Sequence, residues 1–519
     1  MSASTEKKRR QAAREAGTDK KILAQEMAAK EHARQKRLWA FGTVAVVLLI
    51  ALIVFLNSGL LFKTTALSIQ DESWTAAEMN YSFSEQYYYT AQQYGNYASL
   101  MGLNTANGIK GLDDQPCPMM PEGGSWKDYF LQNAQQKLRQ EKALCDYAAA
   151  NDISLSEEEA EQIDASFADL ESIAKSQGYA SANNFFAANY GTGVNTDIAR
   201  QAALTSGLAN KAMMSYADSL QYSDKELEEK YQSYEGARDY FDYAYYYVVG
   251  ESSQVTAEDG STSNEVSAEA LAKAEDTAKT ILAAYEDGEG EDYAARLDEA
   301  VASQVADAKA SHPTKAQGSS LGVYKEWLMD DSRKAGDSTM IADSSNTGYY
   351  VLVFISRDDN DYQMAQVRHI LVKAKADENG EYSDEAKAEA KAQAEKLLEE
   401  FMAGDQSEDS FAAMAQLYSE DSGSKDNGGL YDSVIKGQMV PEFDKFCFEG
   451  HEKGDTAIVY GESAGYAGYH VMYFVGQGDN YARRIALDDL RSEAVTQWID
   501  GLTEGQQVET GFGMRLVGK

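Results

Sequence analysis

Cysteine is nearly missing from this 519-residue chain, which has three: Cys117, Cys145 and Cys447. Three cysteines cannot build a disulfide-stapled scaffold, and none stands at a metal-ligand spacing such as CxxC. Basic charge is short as well, with 47 Lys and Arg against 84 Asp and Glu and a formal net charge of −37. A chain this acidic offers no broad basic face to nucleic acid. Histidine numbers five, so any two that fall in strand-like motifs are worth following. The shortages do not imply disorder, because hydrophobic residues make up 43% of the chain. Its length predicts about three or four domains with sizeable cores.

The basic charge that exists is collected at one end. Residues 1–38 carry eleven Lys and Arg and five Asp and Glu, a net of +6, which leaves the rest with −43. Next, Leu38–Phe62 runs for 25 residues without a charge and includes VAVVLLIALIVFL. A bilayer core of about 30 Å needs about 20 apolar residues in a helix, so this stretch predicts a transmembrane span. A buried core helix would carry some polar face. A cleaved signal peptide would have a shorter basic lead, an apolar run of about 7–15 residues and an A-x-A site. No cysteine lies near the membrane exit, which excludes a lipid-anchored mature N-terminus. The positive flank is expected to remain in the cytoplasm. The expectation is a single-pass cell-membrane protein with its N-terminus cytoplasmic and its bulk extracytoplasmic.

The outer part begins with helical patterns. Ser73 is read as the cap of a helix containing Trp74 and Met79. Ser156 with Glu159 and Ser223 with Glu226 have capping-box spacing, and helices are predicted over 125–150, 156–175 and 195–219. Pro118, Pro121 and Gly123–Gly124 mark a loop. This unit is rich in Tyr87, Tyr88, Tyr89, Phe185, Phe186, Met213 and Met214. Such residues either fill a helical core or line a surface for apolar peptide segments, since Met and aromatic side chains adapt to varied partners.

From residue 240 a pattern occurs twice. The strand-like FDYAYYYVV (241–249) and AQVRHILV (365–372) are each followed by a polar loop and a helix, closed by Gly288 and Gly404. A short second helix follows in each. An aromatic residue, Trp327 or Phe446, then precedes a Gly-Asp turn at 336–337 or 454–455. Each copy ends in a similar strand, GYYVLVF (348–354) or GYHVMYF (468–474). Placing Tyr246 opposite His369 and Tyr350 opposite His470 makes this a tandem repeat of one β-α-α-…-β module.

RHILVK at 368–373, YSEDSGSKDNGG at 418–429, KGQMVPEF at 436–443 and GYHVM at 468–472 together resemble a parvulin-type peptidyl-prolyl isomerase over about 363–478. With the preceding helical unit and the following helix, the outer part is similar to PrsA-type and SurA-type extracytoplasmic foldases. The resemblance implies that His369 and His470 form the paired histidines of the site. It puts Asp421 in the place of the acidic or cysteine residue facing the rotating bond, and Met439 and Phe443 in the walls of the proline-ring pocket. It implies no cofactor and no metal. Rotation about an X-Pro bond meets a barrier of ~18–20 kcal/mol because amide resonance must be broken, and uncatalysed it takes tens of seconds or more. No bond need be made, so a catalyst has only to favour the twisted amide. An apolar pocket can hold the ring while hydrogen-bonded imidazoles and a carboxylate shape the field around the swinging carbonyl.

Several positions depart from the family's pattern. Leu430, Tyr431 and Asp432 follow Gly428–Gly429 where the family often has Asp-Leu-Gly. Gly465 stands where a hydroxyl often precedes the second histidine, with Ser463 as a substitute. No basic cluster follows RHILVK, so phosphoserine-proline selectivity is not expected. In the first copy Tyr246 and Tyr350 stand for the histidines, and the Met-Val-Pro-Glu-Phe equivalent is missing, so that copy is expected to bind or space rather than isomerise. Cys117 and Cys145 are left open as a pair, Cys447 reads as a small core hydrophobe, and 483–502 reads as an amphipathic helix that can pack back on the helical unit.

The expected fold class is α+β. A basic cytoplasmic segment (1–38) leads into a transmembrane signal anchor (39–62) and a helical peptide-binding, chaperone-like unit (63–235). A degenerate parvulin-like module (236–360) and a parvulin-type isomerase domain (361–478) follow as tandem α/β modules, each an antiparallel sheet with surrounding helices. A C-terminal helix and tail (479–519) close the chain. The expected function is a membrane-anchored foldase that isomerises X-Pro bonds in secreted or envelope proteins and also holds them. The alternatives are a non-catalytic holdase with both modules inactive, and an envelope scaffold or adhesin. Expected partners are unfolded or newly translocated proline-containing polypeptides and the membrane, through one helix. Nucleic acid is not expected, and a homodimer is kept open.

Overall fold

The computed structural model describes residues 3–16, 43–44, 46–49, 59–256 and 262–519. Most of the expected anchor at 39–62 lies outside the described residues, and among those described no helix is long and apolar enough to cross a membrane. The fold is mixed: a helical part together with β-sheet modules. It divides into two compact units, Met1–Leu220 with Glu493–Lys519, and Gln221–Ser492.

The first unit contains the helix α1 (Ala3–Glu15) and, from residue 65, a three-stranded antiparallel sheet. Its strands are β1 (Thr65–Ile69), β2 (Glu72–Thr75) and, from the far end of the chain, β13 (Val508–Thr510), in the order β13-β1-β2. Ser73 and Trp74 therefore lie in a strand and not in a helix. The backbone of residues 72–74 pairs with 67–69, and the cap falls on Thr75, whose side chain takes the Glu78 N–H while Glu78 reaches back to the Thr75 N–H. That box opens α2 (Ala76–Tyr94), whose Met79 and Phe83 pack with Leu67, Ile69, Trp126 and Phe130 in a closed core. Next come α3 (Trp126–Ala150), α4 (Glu157–Ala165), α5 (Leu170–Ser176), α6 (Ala182–Asn189) and α7 (Thr196–Ser219). The helix expected over 156–175 is thus two. Ser166 turns its hydroxyl back to the Ile163 carbonyl at 2.6 Å, a local bond that competes with helix continuation. Tyr87 and Phe186 are core residues, whereas Tyr89 and Met214 are exposed at 67% and 62%. Trp498 stacks on Tyr216, with ring centroids 4.0 Å apart, and meets Tyr147 edge-on, so residues after 492 belong to this unit. All three cysteines are free.

The second unit starts with α8 (Asp224–Gln232), opened by the Ser223–Glu226 capping box. Two modules follow, separated by a short turn at 359–362. In the first, β3 (Tyr240–Val249) leads to the hairpin β4 (Ser252–Thr256) and β5 (Thr262–Val266) and the helices α9 (Ala268–Glu286) and α10 (Tyr293–Gln304). It closes with β6 (Ala316–Gln317), α11 (Lys325–Leu328), β7 (Ser338–Ala342) and β8 (Gly348–Asp358). The second comprises β9 (Gln363–Lys373), α12 (Asp384–Ala403), α13 (Glu408–Tyr418), β10 (Leu430–Val434), α14 (Pro441–Phe448), β11 (Thr456–Ser463) and β12 (Tyr466–Asn480). The antiparallel sheets have matching orders, β6-β3-β8-β7 and β10-β9-β12-β11. The Gly-Asp turns match too: Gly336 N–H donates to the Phe354 carbonyl and Gly454 N–H to the Phe474 carbonyl, both at 2.9 Å. The helix α15 (Tyr481–Thr503) follows β12.

Strand register corrects one equivalence. Tyr350 pairs with Tyr247, and His470 pairs with Leu371. With Tyr350 at the His470 position, the counterpart of His369 is Tyr245, not Tyr246. A one-residue slip moves a side chain to the opposite face. Tyr246 indeed packs with the helix-side core around Ile281, while Tyr245 lies on the other face beside Tyr243 and Tyr324.

Candidate functional site

The second module has two cores, one on each face of its sheet. Ile370, Val372, Val471 and Tyr473 point to α12 and α13, where Leu397, Phe401 and Phe411 complete one core. Period-two alternation sends their neighbours the other way, so Val367, Met472 and Phe474 meet Phe443 and Phe446 of α14. His369 and His470 continue this second face. They sit on the paired central strands β9 and β12, offset diagonally, and are 2% and 4% exposed.

Their Nδ1 atoms are 3.0 Å apart and their ring centroids 5.1 Å. Phe443 meets both imidazoles nearly edge-on, at 5.3 and 5.2 Å between centroids. Met439 is half-buried against the same core. Asp421 arrives on the segment after α13, which is tied along β9. Leu371 N–H donates to Ser419 Oγ, Glu420 N–H to the Leu371 carbonyl and Lys373 N–H to the Glu420 carboxylate. Arg368 fastens the next turn by donating to the carbonyls of Asn427 and Gly428, both at 3.0 Å. Gly429 is needed there, since at φ +72° a Cβ would strike the His369 carbonyl oxygen. The structure thus brings His369, His470, Asp421 and Phe443 together, with Met439 on the adjoining core.

Asp421 Oδ2 lies 2.9 Å from His369 Nε2, 2.6 Å from Ser424 Oγ and 3.0 Å from the Tyr431 hydroxyl. The other oxygen accepts the Gly423 N–H. The hydrogen bond from His369 holds the Asp421 carboxyl well below the usual carboxylate range, against the opposing effect of burial. An ionised carboxylate only accepts, so His369 presents its proton at Nε2. Where His369 carries one proton, its Nδ1 then accepts from His470 Nδ1–H, and His470 Nε2 is left as an acceptor. The Tyr466 hydroxyl, 3.1 Å away, fills it. In that state the chain runs one way, from Tyr466 through His470 and His369 to Asp421. Burial, with the neighbouring His369 second, lowers the His470 pKa to about 3, so this ring is neutral at ordinary pH. Burial and the Asp421 charge push the Tyr431 phenol up to about 12, so it stays a donor.

Sequence reading missed Ser424, Tyr431 and Tyr466. The hydroxyl for the second histidine comes neither from position 465 nor from Ser463 but from Tyr466, four residues before His470. An even spacing along one strand puts both on one face, a signal that was available. A Cβ on Gly461, across the ladder, would lie 2.7 Å from His470 Nε2 and 3.0 Å from the Tyr466 hydroxyl, so glycine makes the room. Tyr431, within the departure after the double glycine, supplies Asp421 with a third donor. In the first module the corresponding face carries Tyr245, Tyr350 and Tyr324. Tyr324 lies 5.3 and 5.1 Å from the other two rings, much as Phe443 lies from the two histidines. Among the described residues no group of His, Cys, Asp and Glu is arranged to hold a metal ion.

Residues 350–474 match the family model of the PPIC-type PPIASE domain. That segment is similar to parvulin-type domains, and the chain resembles the SurA and PrsA foldases. It is 27% identical over 192 residues to Chaperone SurA of Alkalilimnicola ehrlichii, covering 35% of this chain and 41% of that protein. It is 39% identical over 87 residues to Chaperone SurA of Hahella chejuensis, covering 17% and 18%. The chain thus spans less than half the length of these curated relatives. Among solved structures it is similar to PrsA from Bacillus subtilis, with a TM-score of 0.29 and 13% identity over 74% of this chain and 90% of the other. PrsA from Bacillus anthracis gives a TM-score of 0.18 and 21% identity over 28% and 59%.

Proposed function

We propose that this protein is a membrane-anchored extracytoplasmic foldase whose second module isomerises X-Pro bonds in secreted or envelope polypeptides. The observation that carries the reading is the hydrogen-bonded chain through His470, His369 and Asp421, set against Phe443 inside the segment that matches the isomerase family. Such a chain makes no bond to substrate. It is a fixed row of dipoles ending in a carboxylate, held in a dry site where oriented charge acts most strongly on a carbonyl leaving the amide plane. Met439 and the edge of Phe443 supply the apolar side that a proline ring needs. The first module, with tyrosines at these positions, binds without isomerising. Tyr89, Tyr97, Leu100 and Met214, all largely exposed in the helical unit, support a holding role. So does a cavity of about 480 Å³ there, lined by Trp74, Leu138, Leu155, Leu204, Leu208 and Cys145 among others. The anchor at 39–62 rests on its uncharged run and basic flank. The test is turnover of a short proline peptide by the full chain, in which His470→Ala and Met439→Ala each remove most activity with circular dichroism unchanged. Full activity in His470→Ala would leave the holding reading alone standing.

A further inference from the structure

We infer that the first module is a positioning element for the proline pocket of the second, acting through residues 435–440. This rests on the isomerase reading of the second module. The segment joins β10 to α14 and carries Met439 directly before the helix that presents Phe443. Two groups outside it hold it, and a third packs against it. Asp358, at the end of β8 in the first module, places a carboxylate oxygen 3.3 Å from Lys436 Nζ. Tyr362, in the turn between the modules, accepts the Lys436 backbone N–H at 3.1 Å, and its ring centroid lies 4.0 Å from the ammonium. The same ring meets Phe448, the last residue of α14, edge-on at 5.6 Å. From the first module, Lys315 lays its ammonium against Gly437, where any Cβ would collide with Nζ.

Lys315 is exposed, and its backbone is what is held in place. Its backbone is left-handed at φ +52°, a conformation costly for a side-chain-bearing residue. The Asp242 carboxylate holds it there, accepting the Lys315 N–H at 2.7 Å and the Ser356 hydroxyl at 3.0 Å. The segment leading to Lys315 runs along β3, with Tyr245 and Ser311 exchanging backbone hydrogen bonds at 2.8 and 2.9 Å. The β3 strand that carries Tyr245 is therefore continuous, through ordered backbone, with the support beneath Gly437. Ordering a binding loop before the ligand arrives lowers the entropic cost of binding. None of these groups touches His369, His470 or Asp421, so the effect falls on substrate affinity and leaves the rotating step alone.

The experiment compares the full chain with Asp358→Ala, Lys315→Ala and both together, using a short proline peptide. Exposed ion pairs contribute little singly, so each single change raises KM by about two- to fivefold and the pair by about tenfold. The kcat value and its pH profile stay within about twofold of the parent. Asp358→Lys alone raises KM, and adding Lys436→Asp restores most of it, which simple loss of fold would not do. Hydrogen exchange at the Lys436 and Gly437 amides is read in parallel and speeds up in the double variant. Unchanged KM and unchanged exchange overturn the inference, as does a loss confined to kcat. If the parent turns over no proline peptide, the isomerase reading fails separately. The exchange measurement then decides alone: faster exchange supports positioning and parental exchange refutes it. Asp358→Asn, nearly isosteric, takes the place of Asp358→Ala if that variant loses its fold.

Discussion

Removing one oxygen atom, in Tyr466→Phe, tests the direction of the hydrogen-bond chain. The Tyr466 ring stays beside His470, at 5.8 Å between centroids, so packing is kept and only the O–H is lost. That O–H is the partner of His470 Nε2 in a residue 4% exposed. A neutral hydrogen bond contributes about 1 kcal/mol net, but leaving a buried acceptor unpaired costs about 1–3 kcal/mol. The expected loss of unfolding free energy is about 1–3 kcal/mol, read by urea denaturation with unchanged slope. Imidazole ¹⁵N spectra of the parent should place the protons at His470 Nδ1 and His369 Nε2, and in Tyr466→Phe the His470 tautomer should become mixed. If the whole cost bears on the reacting arrangement, turnover falls by about five- to a hundred-and-fiftyfold. Tyr431→Phe is the comparison: Asp421 keeps His369, Ser424 and the Gly423 N–H, so its loss should be the smaller one. A parent spectrum with His470 protonated at Nε2 would refute the reasoning. So would a Tyr466→Phe variant with parental stability and parental tautomers.

Other consequences can be measured alongside. His470 has its pKa lowered from 6.5 to about 3 in the folded protein, so below about 6.5 the unfolded chain takes up a proton that the native site refuses. Stability should therefore fall as pH drops from about 6.5 toward 3, by up to about 1.4 kcal/mol per unit. Asp421 adds to the fall below its unfolded 3.8, because its folded carboxyl is held lower still. His470→Gln should flatten the upper part of that curve in urea titrations. Tyr245→Ala and Tyr350→Ala, at the histidine positions of the first module, should leave proline-peptide turnover within about twofold, and losses equal to that of His470→Ala would place catalysis in both modules. Aggregation of a denatured secreted protein should still be suppressed by the double change His369→Ala with His470→Ala. Replacing Tyr89, Tyr97 and Leu100 by serine should weaken that suppression, whereas loss of holding in the folded double-histidine variant would refute the separation of roles.

Some of this was legible from residue order alone. The tandem strands, the Gly-Asp turns and the capping boxes at Ser156 and Ser223 depend on neighbours within a few positions, and local rules read such neighbours well. His369, Asp421, His470 and Phe443 could be gathered because each lies in a motif whose order along the chain is informative. The β2 strand was not legible. Ser73 has good cap chemistry, and only pairing with β1, itself backed by β13 from about 440 residues away, turns the segment extended. Tyr246 was misplaced for a related reason: in a run of alternating tyrosines, only the ladder with β8 decides which face each one takes. The hydroxyl on His470 likewise lies outside the fixed spacings at 463 and 465, because the space for Tyr466 is made by Gly461 on the neighbouring strand. Sequence by itself determined which residue types and local elements were present, because propensity, capping and alternation act over a few bonds. Tertiary structure alone decided faces, donors and supports, including Lys315 against Gly437, because those depend on strand register and on close approach between segments far apart in the chain.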